Sequence, residues 1–282
     1  MLCGKRGIRV RVQAVVMMLL VAASAQAEIG FSVFGGGSRI DNVNNAGDPL
    51  SRVSETESVV TAQVSYRTRP SDDSTLRLSG EYTTVSYTDL SELEHDRFRF
   101  GLDWREYFGR RQWYRLAASA ALTDHNDNNR DTQGLGVKAG LGADIDYRWS
   151  MEGGVVYEQD RADIDAYGSD QIGLYGWLQS LVSEEVSAYV SGELGRRDVT
   201  SVSATGSVLQ SEATFSPDAV FGPGTTAYRL GADYYTGELG LKIEAGPSSS
   251  VRVGYSHRVD NIDRIGERIE RGAWVFTVET RN

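Results

Sequence analysis

The chain has 282 residues, a formal net charge of −10 and a mean hydropathy of −0.35. Such acidity argues against nucleic acid as a partner, because phosphate backbones are bound by basic surfaces. Cys3 is the only cysteine, so the chain after it has no residue for disulfides, thiol catalysis or sulfur-ligated metal. No apolar run reaches about 18 residues, and no transmembrane helix is therefore expected.

Residues 1–27 are predicted to be a cleaved secretory signal peptide of the Sec type. A basic start precedes the apolar run 14–23, and Ala25-Gln26-Ala27 gives the small-x-small cleavage pattern. As a helix that run would span about 15 Å of a roughly 30 Å hydrocarbon core, which disfavours a membrane anchor. The segment carries four basic and no acidic residues, so residues 28–282 are four charges more negative than the whole chain.

The clearest strand pattern lies at residues 97–123, which predict a β-hairpin. Phe98, Phe100, Leu102 and Trp104 alternate with charged residues and a glycine, and the alternation resumes after the short turn 109–111. A period of two is a strand period, and a turn this short joins antiparallel strands. One face is apolar and the other charged, which is typical of a wall between lipid and water.

Twelve segments are predicted to be strands of this kind. They are residues 29–40, 57–69, 75–87, 96–108, 112–123, 132–145, 148–159, 171–182, 186–199, 227–245, 249–259 and 271–281. In the eighth, Tyr175 and Trp177 compete with Leu174 and Leu178 for the outer face. In the tenth, the outward set shifts after Tyr234, which predicts a bulge near Thr236-Gly237.

The connections between these strands alternate in length. Residues 70–74, 109–111, 146–147, 183–185 and 246–248 are short, whereas 41–56, 88–95, 124–131, 160–170, 200–226 and 260–270 are longer and polar. Outer-membrane barrels combine short periplasmic turns, long extracellular loops and an even number of strands. The prediction is an all-β protein with one domain, residues 28–282, folded as a 12-stranded antiparallel transmembrane up-and-down β-barrel.

By this alternation and rhythm the chain resembles Gram-negative outer-membrane β-barrel proteins over residues 28–282. The resemblance implies residence in the outer membrane, contact with its lipid and lipopolysaccharide, and insertion by the barrel assembly machinery. Such proteins usually end in a terminal phenylalanine. This chain departs from that pattern, because Trp274, Phe276 and Val278 alternate properly but the sequence finishes Thr280-Arg281-Asn282.

Charged residues on the predicted inner face divide along the chain. Bases come first and acids later: Arg67, Arg77, Arg97, Arg99, Arg105, Arg115 and Lys138, then Glu152, Glu158, Glu193, Asp233, Glu238 and Glu244. If the two halves face each other across a water-filled lumen, their field would orient charged solutes, and these residues would line a pore. Alternatively, the same groups pair as a structural network in a plugged lumen. A barrel of twelve strands allows both interpretations, because its width lies between that of small barrels filled by side chains and that of the larger, water-filled porins.

Two loops allow more than one interpretation. Residues 200–226 either fold inward as a constriction or form mobile surface, and the usual behaviour of loops favours the second. The acidic run 124–131 invites a calcium site, but it matches no known calcium loop, and a solvated loop beside lipopolysaccharide is favoured. No metal site is assigned.

The sequence predicts no enzyme and no cofactor. Outer-membrane phospholipase A has a histidine and a serine two residues apart on its outer face, whereas here Tyr255 and Val259 flank His257 at that spacing and Ser256 should point inward. The leading hypothesis is a narrow porin-like channel for small hydrophilic or charged solutes. The alternatives are a non-conducting barrel that docks a periplasmic or cell-surface protein and, less favoured, a lipid hydrolase.

Overall fold

Alternating sequence produces long strands throughout the chain. The computed structural model describes residues 28–40, 43–44, 53–204, 214–218, 220–262 and 267–281, so the predicted signal peptide lies outside the described residues. The strands are β1 Glu28–Ile40, β2 Glu55–Ser71, β3 Ser74–Tyr87, β4 His95–Tyr107, β5 Gln112–His125, β6 Thr132–Asp144, β7 Trp149–Ala162, β8 Ser169–Leu181, β9 Val186–Ala204, β10 Phe215–Pro217, β11 Thr225–Gly246, β12 Ser249–Ile262 and β13 Glu267–Arg281. Each of the twelve predicted strands is confirmed, and within the described ranges the three-residue β10 is the one strand that was not predicted.

Antiparallel pairing closes these strands into a barrel. Each barrel strand pairs with its neighbour along the chain, β9 pairs with β11, and β13 pairs with β1. β10 adds to one end of β11, outside the ring of twelve. The predicted 12-stranded up-and-down antiparallel barrel is confirmed. The predicted bulge at Thr236-Gly237 is wrong, because the register of β11 with β9 and β12 runs through both residues without a shift.

The two ends of the barrel differ in their connections. At one end, here called the turn end, the strands are joined by two to four residues, and Glu28 lies at this end. At the other, here called the loop end, the connections before β11 run from six to twenty residues. Short 3₁₀ helices lie in three of these loops, at Ser91–Leu93, Asn128–Arg130 and Asp165–Tyr167.

Apolar side chains cover the outer face of the wall. Leu135, Leu141, Ile172, Leu239 and Trp274 are each more than three-fifths exposed, because they lie on the outer face of the barrel, which is the lipid-facing side in membrane-spanning barrels. In β8 the register places Leu174 and Leu178 outward and Tyr175 and Trp177 inward, which resolves that ambiguity. Within the described residues, no helix has the length and apolar character needed to cross a bilayer.

An apolar cluster fills one side of the lumen near the loop end. Its members come from β9, β11, β12 and β13, and they are Val199, Tyr228, Leu230, Ala232, Ile262 and Ile269. All of them face the lumen, and all are at most 5% exposed because they pack against one another. The space that remains in the lumen at this level therefore lies beside β4 to β8.

Candidate functional site

Strand register places twelve of the thirteen predicted pore-lining residues on the inner face. These are Arg67, Arg77, Arg97, Arg99, Arg105, Arg115, Lys138, Glu152, Glu158, Glu193, Glu238 and Glu244. Regular alternation along each strand is enough to place all twelve on one face, because paired residues on neighbouring strands point to the same side of a sheet.

Asp233 is the exception and lies on the outer face. It pairs in register with Arg196, and the two side chains form a 3.3 Å ion pair with both more than three-fifths exposed. The prediction failed because it assumed a bulge after Tyr234. With a continuous register Tyr234 points inward and donates its hydroxyl to Glu193, which turns Asp233 outward.

A first layer of ion pairs crosses the wall from β4 to β7. Arg99 Nη2 lies 2.6 Å from Glu158 Oε1 and also donates to Ser119 at 3.2 Å, and Arg97 lies 3.5 Å from Asp160. The pairs span β5 and β6 because those strands carry small residues here. A Cβ on Gly136 would lie 2.8 Å from the Ser119 hydroxyl, so glycine leaves room for the Ser119 side chain that Arg99 contacts.

A second layer, nearer the turn end, is built around Glu152 and is here called the Glu152 cluster. The Glu152 carboxylate is fully buried and accepts hydrogen bonds from Trp113 Nε1 at 3.1 Å, the Tyr175 hydroxyl at 2.9 Å and Arg115 Nη1 at 3.1 Å. Arg105 lies 3.6 Å away. With this many donors the carboxylate is a fixed part of the wall rather than a group available to solutes.

A cavity of about 300 Å³, here called the central cavity, lies between the two layers. Its wall includes Gly101, Ala117, Ser119 and Gly136, whose small side chains leave the space unfilled. Its charged lining residues are Arg77, Glu81, Arg99, Asp103, Arg115, Lys138, Glu158 and Glu193. Further cavities lie toward each end, of about 250 Å³ at the loop end beside Arg97 and about 520 Å³ at the turn end beside Trp177.

The basic and acidic halves of the sequence meet within one side of the wall rather than across the lumen. Arg99 pairs with Glu158 and Arg115 with Asp103 and Glu152, all between β4 and β7. Elsewhere the predicted residues have their own partners. Arg67 lies 3.6 Å from Glu28, Arg77 donates to Gln63, Glu238 accepts from Tyr189, and Glu244 pairs with Lys242.

Loops lie across the loop end of the barrel. Arg130 forms an ion pair with Asp218, whose side chain is fully buried, and its guanidinium lies 4.5 Å from the Tyr167 ring centroid and 5.8 Å from that of Phe221. These four residues are here called the latch. Burial and the Asp218 carboxylate raise the pKa of the Tyr167 phenol, so Tyr167 stays neutral. The preference for a mobile 200–226 loop does not hold for these described residues, because they pack.

Two other candidate groups are engaged in local structure. In the acidic loop, Asp127 accepts from the Asn129 amide and Asp131 from the His125 amide, and the described residues contain no group of three candidate metal ligands. His257 faces outward and lies 3.8 Å from Glu270, whereas Ser256 faces inward. The geometry does not place a nucleophile beside that histidine.

Sequence reasoning missed several residues that shape the lumen. Trp113, Tyr175 and Tyr234 all point inward and bind carboxylates, although aromatic residues in such strands are expected at the lipid interface. Their position in the alternation was the available signal, since each occupies an inward place in its strand.

Comparison with known proteins supports the architecture. No family model and no characterised protein sequence matches the chain. Among solved structures, it is similar to an outer-membrane channel from Pseudomonas putida F1, with a TM-score of 0.61 and 12% identity over 93% of this chain and 97% of that one. It is also similar to the translocator domain of the autotransporter NalP from Neisseria meningitidis, with a TM-score of 0.50 and 10% identity over 97% and 95% of the two chains. The NanC porin matches with a TM-score of 0.50 and 8% identity over 88% and 98%. At these identities the likeness shows the fold alone.

Proposed function

We propose that this outer-membrane-type barrel is a narrow channel for small hydrophilic or charged solutes in the Gram-negative outer membrane. Its partners would be the lipid and lipopolysaccharide around it and the barrel assembly machinery that inserts it. The proposal assigns no enzyme activity and no cofactor.

The central cavity is the observation that carries this proposal. A lumen that served only as a structural core would be filled by large side chains, as the apolar cluster fills the opposite side. On the β4–β8 side, Gly101, Ala117 and Gly136 instead leave about 300 Å³ of space against charged groups. Such a space is polar and large enough to hold water.

The proposed route follows the β4–β8 wall through the three cavities. The Arg99–Glu158 layer separates the loop-end cavity from the central cavity, and the Glu152 cluster separates the central cavity from the turn-end cavity. Solutes would pass these layers as the arginine side chains, which are a quarter to a third exposed, exchange partners. The latch would control entry at the loop end, which in this scheme faces the exterior.

Single-channel conductance in a planar bilayer tests the proposal with a matched pair of variants. Ala117 lines the central cavity, whereas Ala120 is exposed on the outer face of the same strand. The refolded wild-type protein should give ohmic steps, Ala117→Trp should remove most of the current, and Ala120→Trp should leave it unchanged. A silent wild-type barrel that is fully folded would overturn the proposal, and equal currents in all three proteins would place the path elsewhere.

A second candidate, a non-conducting barrel that docks a periplasmic or surface protein, is favoured by the closed loop end. Besides the latch, the Val202 amide donates to the Asn44 carbonyl at 2.8 Å, which ties the first loop to β9. Under this alternative the loops are a rigid docking surface. A silent folded barrel that co-purifies with a partner, and loses it on Asp218→Ala, would support docking instead of transport.

A further inference from the structure

Within the described residues, two opposite charges of the central cavity belong to no ion pair. Lys138 lies 3.7 Å from the Tyr175 ring centroid, and no carboxylate of the described residues lies within ion-pair distance of its ammonium. Among the residues that the structure describes, Glu193 accepts hydrogen bonds from two neutral groups, those of Gln171 at 2.7 Å and Tyr234 at 2.5 Å. Both residues line the cavity.

Lys138 has hydrogen-bond donors, and Glu193 an acceptor oxygen, that their partners in the described residues do not use. An ammonium has three donors, and within the described residues the Lys138 ammonium makes a contact with an aromatic ring but no hydrogen bond. Both bonds to Glu193 end on Oε1, so Oε2 accepts none from the described residues. The aromatic groups also hold the two side chains in place, which reduces the ordering cost of binding.

Strand geometry sets the distance between the backbones that carry the two charges. Lys138 is on β6 and Glu193 on β9, three strands or about 14 Å apart along the wall. The side chains are closer than the backbones, because Lys138 lies over the ring of Tyr175 and Glu193 is the register partner of Tyr175. Both charged side chains reach from their strands into the same cavity, so a small molecule can contact both.

The other charges of the cavity argue against a ligand with a net charge. Arg99 pairs with Glu158, Arg115 pairs with Asp103, and Arg77 and Glu81 each bond to Gln63, so these groups present no excess of either sign. A simple anion at Lys138 would meet the field of Glu193, and a simple cation at Glu193 would meet that of Lys138. A zwitterion satisfies both groups at once.

We propose that Lys138 and Glu193 form a binding subsite in the lumen for a small zwitterion, with the ligand carboxylate toward Lys138 and its ammonium toward Glu193. The proposal deepens the channel function by naming a solute class, and it rests on that function only for its biological role. Bound in this orientation, the solute would replace the missing ion pair of each residue.

Calorimetric titration of the refolded protein in detergent tests the subsite without requiring conductance. The probes are 4-aminobutyrate, butyrate and butylamine, which share a carbon chain and differ in charge. We expect 4-aminobutyrate to bind about tenfold or more tightly than either singly charged analogue, since each charge-assisted hydrogen bond contributes. Equal affinity for the three probes, or no binding of 4-aminobutyrate, would overturn the proposal.

Variants assign the two ends of the ligand. Lys138→Met should remove the preference for 4-aminobutyrate over butylamine, because the ligand carboxylate loses its partner. Glu193→Gln should remove the preference for 4-aminobutyrate over butyrate. The double variant Lys138→Glu with Glu193→Lys exchanges the two charges and should keep the preference for the zwitterion. The controls are Lys242→Met and Glu238→Gln, which remove inward charges that do not line the central cavity. Controls that weaken binding as much as the test variants would contradict the assignment.

The test also separates the subsite from the channel. A folded barrel that binds 4-aminobutyrate but conducts no current would overturn transport and leave the subsite intact. A conducting barrel that binds none of the probes would overturn the subsite alone.

Discussion

Replacing Glu152 with alanine removes the carboxylate on which one layer of the lumen is built. The substitution leaves the Trp113 N–H and the Tyr175 hydroxyl without their acceptor and takes one of two carboxylates from Arg115. Removing one partner of a buried ion pair costs about 3–5 kcal/mol, and because Arg115 keeps Asp103 we expect about 3 kcal/mol of unfolding free energy. Glu152→Gln keeps an acceptor oxygen and should cost less.

Equilibrium unfolding in urea, followed by tryptophan fluorescence in lipid vesicles, measures this loss. The control is Asp233→Ala, which breaks the ion pair with Arg196 on the outer face. Both members of that pair are more than half exposed, so the control should cost less than about 1 kcal/mol. If Glu152→Ala were no more destabilising than Asp233→Ala, the burial and bonding assigned to the Glu152 cluster would be wrong.

Two further predictions concern conduction. Arg130→Ala leaves the buried Asp218 carboxylate without its ion pair, which costs the closed latch about 3 kcal/mol or more. This favours the open latch by a factor of about 100, so the open time of the channel should rise steeply. An open time that is unchanged, and equal to that of an Arg196→Ala control, would contradict the latch. Arg99→Gln leaves Glu158 without its ion pair beside the central cavity, so the reversal potential in a salt gradient should move toward cation selectivity. A shift toward anion selectivity would show that the path does not pass this layer.

The wall of the barrel was predictable because it depends on local alternation. Side chains such as Leu135 and Leu141 lie on the outer face, and a one-residue slip would turn each of them inward among charged groups, so the sequence encodes the register strongly. The same logic placed Arg99 and Glu158 inward. It failed at Tyr234, because a tyrosine suits either face and a bulge was assumed after it, whereas the continuous register turns Tyr234 inward to Glu193.

Contacts between distant parts of the chain were not predictable from pattern. Arg130 and Asp218 are separated by 88 positions, and they meet only because ring closure brings β5, β6 and β11 to the same end of the barrel. The pairing of Arg99 with Glu158 depends in turn on the small residues that β5 and β6 place between them. The sequence supplied two oppositely charged halves but not the side of the wall on which they meet.

The path through the lumen can be tested most directly by blocking it chemically. In a protein whose Cys3 is replaced by serine, Ala117→Cys places a single thiol in the central cavity and Ala120→Cys places one on the outer face. A charged methanethiosulfonate added during single-channel recording should reduce the current through Ala117→Cys at once and leave Ala120→Cys unaffected. A conducting Ala117→Cys protein whose current does not change on addition of the reagent would contradict the proposed path.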